Sequence, residues 1–171
     1  MTPILIVTRP DPQGAAFAAA IRQAWDGPLH IILSPLLQIV PVHVGVDLSD
    51  LGGVIFTSVN GVAAAQDMGL PRGTRAWCVG ERTAQAAQDA GFAALTGPGD
   101  ADGLVSMLLD DPPTGRIAHL RGQYARGDVS ARLNAAQINC VDIVVYDQRA
   151  CRLSQEARAA LAGDKPVDIP L

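Results

Sequence analysis

A chain of 171 residues has room for one ordinary domain or two small ones, and burial of roughly 70% of its unfolded surface requires no metal or disulfide staple. Apolar residues make up 49% of it, yet no run approaches the roughly 20 consecutive apolar residues of a membrane span, and the N-terminus lacks a signal-peptide layout, so the expectation is a soluble cytoplasmic protein that does not engage a membrane. The formal charge of −4 speaks against a nucleic-acid partner, and Cys78, Cys140 and Cys151, with no C-x-x-C spacing, read as buried thiols rather than a disulfide framework or zinc site.

Taken in chain order, Ile4-Leu5-Ile6-Val7 is a short apolar run ending in the polar turn Thr8-Arg9-Pro10, followed by helical periodicity to about Trp25. A second strand, His30-Ile31-Ile32-Leu33, is stopped by Ser34-Pro35. Residues 36–46 are β-branched, contain Pro41 and reach the next strand without a helix. Since Pro is confined to sheet edges and bulges, this segment reads as an edge strand or connector. Strands are then expected at Gly53–Thr57, Arg75–Val79, Phe92–Thr96, Arg116–Leu120 and Cys140–Tyr146, with helices near 60–68, 82–90, 101–110 and 127–137. Gly69, Gly91 and Asn139 are placed to supply the left-handed residue that ends a helix. A second connector-like stretch over 147–152, a helix from about Ser154 to Ala162, and an apolar strand within 165–171 complete the chain.

Short continuous apolar runs alternating with Ala-rich helices define an α/β protein with parallel sheets, because helices must cover both faces of such strands. The two connectors divide it. Residues 1–35 with 152–171 are expected to form a discontinuous first domain, 36–46 and 143–151 the connector strands, and 47–142 a continuous second domain. In open α/β sheets ligands gather at the carboxyl ends of strands, so the polar turns are the candidate site. They hold Arg9; Thr57, Ser58 and Asn60; Gly80, Arg82 and Thr83; and Arg121, Gly122 and Arg126.

Any one of these hydroxyl or amide residues could simply cap its helix. Several converging on one pocket would suit a ligand with many carboxylates, since helix N-termini and guanidinium groups attract anions. Twelve of the 13 cations are Arg, the planar fork that binds carboxylates bidentately; Lys165 is the single lysine. Other motifs carry less. No Walker A sequence is present; Gly97-Pro98-Gly99-Asp100-Ala101-Asp102-Gly103 places carboxylates where a pyrophosphate would approach, so Asp100 or Asp102 reads as a helix cap. His30, His43 and His119 sit in or beside separate apolar strands without metal-ligand spacing and read as structural. No serine lies in a G-x-S-x-G elbow.

The succession Leu5-Ile6-Val7-Thr8-Arg9-Pro10, Val54-Ile55-Phe56-Thr57-Ser58-Val59-Asn60-Gly61-Val62, Val79-Gly80-Glu81-Arg82-Thr83-Ala84, Leu120-Arg121-Gly122 and Val144-Val145-Tyr146 resembles the uroporphyrinogen-III synthase family in order and spacing over residues 4–146. The resemblance implies two flavodoxin-like parallel-sheet domains joined by β connectors. It implies closure of the polycarboxylate hydroxymethylbilane to uroporphyrinogen III in tetrapyrrole biosynthesis, with inversion of the D ring and loss of water, no cofactor, and a monomer in the full-length form. Tyr146 matches the family's connector tyrosine, whose phenol assists the leaving hydroxyl; Thr57-Ser58 and Thr83 match ligand-facing turns. Members of the family are expected to continue by about 60–80 residues beyond a strand like 167–171, so the first domain is expected to be incomplete here. Two other readings stand beside it: a noncatalytic tetrapyrrole-binding remnant, and a flavodoxin-like or receiver-like module.

Overall fold

The computed structural model describes residues 2–43, 45–164 and 166–170; Val44 of the expected connector, and Lys165 and Leu171 of the expected terminal strand, lie outside the described residues. The elements in chain order are β1 (Ile4–Val7), α1 (Gln13–Ala24), β2 (His30–Leu33), β3 (Leu37–Pro41), β4 (Leu51–Phe56), α2 (Val59–Ala65), β5 (Arg75–Cys78), α3 (Glu81–Asp89), β6 (Ala93–Thr96), α4 (Ala101–Asp110), β7 (Arg116–Gly122), α5 (Val129–Ala135), β8 (Cys140–Ala150), α6 (Gln155–Leu161) and β9 (Val167–Asp168). They fall into two compact units, one made of the chain up to Val40 and from Gln148 onward, the other of Pro41–Asp147. Among the described residues no helix is long and apolar enough to cross a membrane.

The first unit is a three-stranded parallel sheet in the order β2-β1-β9. Ile4, Ile6 and Ile32 are buried with Ala157 of α6, so the two chain segments share one small core. Ser34, 2% exposed, ties them again: its hydroxyl oxygen accepts the Ser154 backbone N–H at 2.8 Å.

In the second unit the strands lie in the order β8-β7-β4-β5-β6. The pairs β4–β5, β5–β6, β4–β7 and β7–β8 are all parallel. Val54, Ile55 and Phe56 are all 0% exposed, which is why β4 reads as an uninterrupted apolar run: helices cover it on both faces. Helices α2 and α3 pack together, as do α4 and α5, and Ile55, Trp77 and Ile117 form a core with Leu104, Leu108 and Leu133 from the second pair. Numbered within this unit, the strand order is 3-2-1-4-5. A flavodoxin-like order would set the first strand between the second and third; here β4 lies between the second, β5, and the fourth, β7. The order in which strands are added to the sheet therefore reverses at β4/β7, the position where open α/β sheets leave a crevice.

Several element boundaries differ from the sequence reading by a few residues, most informatively around β8, α2 and α5. The expected strand to Tyr146 and the connector after it are a single strand, β8, because no Gly or Pro interrupts residues 140–150. Helix α2 ends at Ala65, ahead of a turn that leads to Gly69 with φ 72°. Gln137, with φ 66°, takes the left-handed position after α5 that Asn139 was expected to supply. The Asn134 side chain then clamps the entry to β8, donating to the Cys140 carbonyl at 2.7 Å and accepting its N–H at 3.1 Å.

Candidate functional site

The polar end of β4 builds the centre of the site. Ser58 is the N-cap of α2, with an extended backbone and a hydroxyl oxygen that accepts the Gly61 N–H at 3.1 Å. This is the usual way a Ser side chain satisfies an otherwise orphaned donor of a first helical turn. The same oxygen lies 2.9 Å from the phenolic oxygen of Tyr146 on β8. Capping and site geometry are thus the same side chain.

Gly122, the last residue of β7, allows the tyrosine to be there. A Cβ at Gly122 would fall 2.6 Å from Cε2, 2.7 Å from Cζ and 3.0 Å from the hydroxyl oxygen of Tyr146. Tyr146 is 5% exposed, with its ring against that bare backbone. Around the hydroxyl lies a cavity of about 250 Å³ lined by Thr57, Ser58, Gly122, Tyr124, Arg126 and Tyr146 among others. It opens at the carboxyl ends of β4 and β7, where the strand order reverses. Drug-sized ligands occupy roughly 300–1,000 Å³, so this pocket suits one ring of a larger molecule.

Beneath the pocket runs a polar chain that the sequence reading did not assemble. His119 and Asp142 are partners in the parallel register of β7 and β8. His119 Nδ1 is 3.0 Å from Asp142 Oδ1, and His119 Nε2 is 3.1 Å from Thr57 Oγ1. Asp142 also accepts a hydrogen bond from Ser130 of α5. Arg121 Nε stands 3.0 Å from Asp142 Oδ2 as a charge contact without hydrogen-bond alignment. Burial pushes the Asp142 carboxyl up, but the Ser130 hydroxyl, His119 and Arg121 together bring it below the ordinary carboxylate range. Burial dominates at His119 and lowers its pKa, against the attraction of Asp142. The pair is therefore a carboxylate and a neutral imidazole near neutrality. The order carboxylate, imidazole, hydroxyl is one that nucleophilic enzymes use to orient a hydroxyl. The signal in the sequence was a His and an Asp inside otherwise apolar strands; their pairing depends on register, which spacing does not reveal.

Of the residues expected at the site, Thr57, Ser58, Gly122, Arg126 and Tyr146 meet at the pocket. Arg121 turns away from it: besides Asp142, its Nη1 donates to the carbonyls of Gly122 at 3.0 Å and Gln123 at 3.3 Å. Asn60 sits in the first turn of α2. Gly80 is the N-cap of α3, Thr83 is buried in that helix, and Arg82 faces a separate surface recess with Gln85, Gln88 and Thr96. Arg9 belongs to the first unit, with its guanidinium carbon 4.4 Å from the centre of the Phe17 ring. Asp100 caps α4, accepting the Gly103 N–H at 2.7 Å. Among the described residues no group of three or more His, Cys, Asp and Glu side chains is placed to hold a metal ion.

The chain is an α/β protein with a pocket at the strand ends of a parallel sheet, walled by hydroxyls and a phenol, which is where α/β proteins commonly hold small molecules. The chain belongs to the uroporphyrinogen-III synthase family: the family model for uroporphyrinogen-III synthase HemD matches residues 16–169. A uroporphyrinogen-III synthase of Chlorobaculum parvum is 29% identical over 163 aligned positions, covering 84% of this chain and 63% of that protein. The chain thus spans somewhat less than two thirds of that relative's length. In fold it is similar to the uroporphyrinogen-III synthetase of Helicobacter pylori, with a TM-score of 0.64, 18% identity, and coverage of 96% of this chain and 70% of the other. A mutant uroporphyrinogen III synthase of Thermus thermophilus gives a TM-score of 0.58 at 16% identity, covering 99% and 72%.

Proposed function

We propose that this chain carries the Tyr146 half of a uroporphyrinogen-III synthase reaction: closure of hydroxymethylbilane to uroporphyrinogen III with inversion of the D ring and loss of water. The observation that supports it is the 2.9 Å contact between Ser58 Oγ and the Tyr146 hydroxyl at the pocket wall. Ser58 Oγ accepts from Gly61 N–H, and in this reading it gives its own proton to the phenolic oxygen. Tyr146 then keeps its proton for the pocket, where it can donate to the bilane hydroxyl as the carbon–oxygen bond breaks and water departs. The electron pair of the pyrrole that carried the hydroxymethyl group stabilises the resulting azafulvene cation; the terminal pyrrole carbon forms the new carbon–carbon bond to it, oriented by pocket shape, and the ring proton lost on closure restores the Tyr146 phenol. Arg126, exposed at the rim, is placed to meet a substrate carboxylate.

The finer architecture follows the same reading. The first unit's order, β2-β1-β9, is the opening of the flavodoxin-like 2-1-3 succession, while the second is doubly wound. Within this reading the protein acts in the cytoplasm, and its full-length form is a monomer. The test is conversion of enzymatically generated hydroxymethylbilane, with the oxidised products separated by isomer and compared with a protein-free blank. Excess isomer III supports the proposal. Spontaneous isomer I alone, together with binding of uroporphyrin III, favours a tetrapyrrole-binding role without catalysis.

A further inference from the structure

The direction of each hydrogen bond beneath the pocket follows from its far end. Asp142, with Ser130 donating to it and Arg121 beside it, is an ionised acceptor. His119 Nδ1, 3.0 Å away, must then carry the imidazole proton. His119 is 2% exposed, and its burial together with the Arg121 guanidinium disfavours a second proton, so Nε2 is a bare lone pair. Thr57 Oγ1, at 3.1 Å from Nε2, has one proton, and it is committed to the imidazole. Only its lone pairs remain for the cavity that Thr57 lines.

We propose that Asp142 and His119 hold the Thr57 hydroxyl as a pure acceptor, so that this wall of the pocket binds an N–H donor, a pyrrole nitrogen, and disfavours a carboxylate. This rests on the reading of the pocket as a tetrapyrrole site and changes what was expected of Thr57, which was grouped with the carboxylate-binding donors. A carboxylate facing those lone pairs would meet acceptor against acceptor; a pyrrole N–H completes the chain from ligand to Thr57 to His119 to Asp142. His119 and Asp142 are positioning residues in this arrangement, since neither lines the pocket.

Two measurements test it on the chain as it stands. The first is the ¹⁵N spectrum of His119, which reads the tautomer without any ligand. A neutral ring protonated at Nδ1 near neutral pH, with the Nε2 shift moving in Thr57→Val and unchanged in Thr57→Ser, is expected; an Nε2–H tautomer, or no response to Thr57→Val, overturns the inference. The second compares a dipyrromethane bearing acetate and propionate side chains with its N,N′-dimethyl analogue. The N–H compound should bind about tenfold more tightly to the wild-type chain, the scale of one lost hydrogen bond. That preference should vanish in Thr57→Val and return in Thr57→Ser. Equal binding of the two compounds by the wild type overturns the ligand assignment alone; binding of neither overturns it together with the tetrapyrrole reading beneath it.

Discussion

Gly122 and Tyr146 occupy one space between them: the tyrosine ring lies where a side chain on residue 122 would begin, 2.6 Å from the position of its Cβ. Such a separation is below any ordinary carbon–carbon contact, and Tyr146 is too buried to move aside freely.

Gly122→Ala is therefore expected to displace the phenol from Ser58. Overpacking of this kind costs about 1–3 kcal/mol. Urea denaturation should show that loss, and a crystal structure of the variant should show the Tyr146–Ser58 contact broken; an unchanged contact would contradict the account of Gly122.

Tyr146→Phe keeps the ring and removes the donor. Turnover of hydroxymethylbilane should fall by about tenfold or more while uroporphyrin III affinity changes by less than about threefold, the pattern of an interaction used only as the bond breaks. Ser58→Ala should lower turnover too, and it also removes a helix cap for about 0.5–2 kcal/mol of stability. In the double variant the two losses of turnover should not add, because both act through one hydrogen bond. Additive losses would separate their roles.

The pairing of buried His119 with Asp142 predicts a direction for acid sensitivity. His119 has a folded pKa below its unfolded value of about 6.5, so as pH falls below that value the unfolded chain takes up a proton that the folded chain refuses, and stability drops. Asp142 contributes stability that is present above an unfolded pKa of about 3.9 and is lost as pH falls further, through its lowered folded value. The slope from one such proton is at most about 1.4 kcal/mol per pH unit. Urea midpoints should decline between pH ~7.5 and ~5.5 in the wild type, and His119→Gln should flatten that decline. A wild-type midpoint independent of pH over this range would refute it.

The three thiols should differ in reactivity. Cys78 is buried and pushed up to about 12 by desolvation, and burial likewise raises Cys140, whereas Cys151, expected among the buried thiols, is partly exposed after the end of β8. Since the thiolate is the reactive form, iodoacetamide at pH ~8 should add one label to the native chain and three in denaturant. A native protein that takes up two or three labels rapidly would place Cys78 or Cys140 outside the core.

Apolar strands buried on both faces, the caps at Ser58 and Asp100, and the polar character of the turns at strand ends were all legible in the linear sequence. Each depends on neighbours within a few positions: a run such as Val54-Ile55-Phe56 needs cover on both sides, and a Ser or Asp before a helical run caps it. The tertiary structure alone decided that His119 meets Asp142, because 23 positions separate them and only the β7–β8 register makes them adjacent. It also decided that Arg121 serves Asp142 and the backbone instead of the pocket, since a long guanidinium side chain reaches the carboxylate and carbonyls that the fold brings near it, whatever its place in a turn. Strand order belongs with these: local pattern shows that strands alternate with helices, but whether β4 lies beside β6 or β7 is set by long-range packing, and that choice places the pocket.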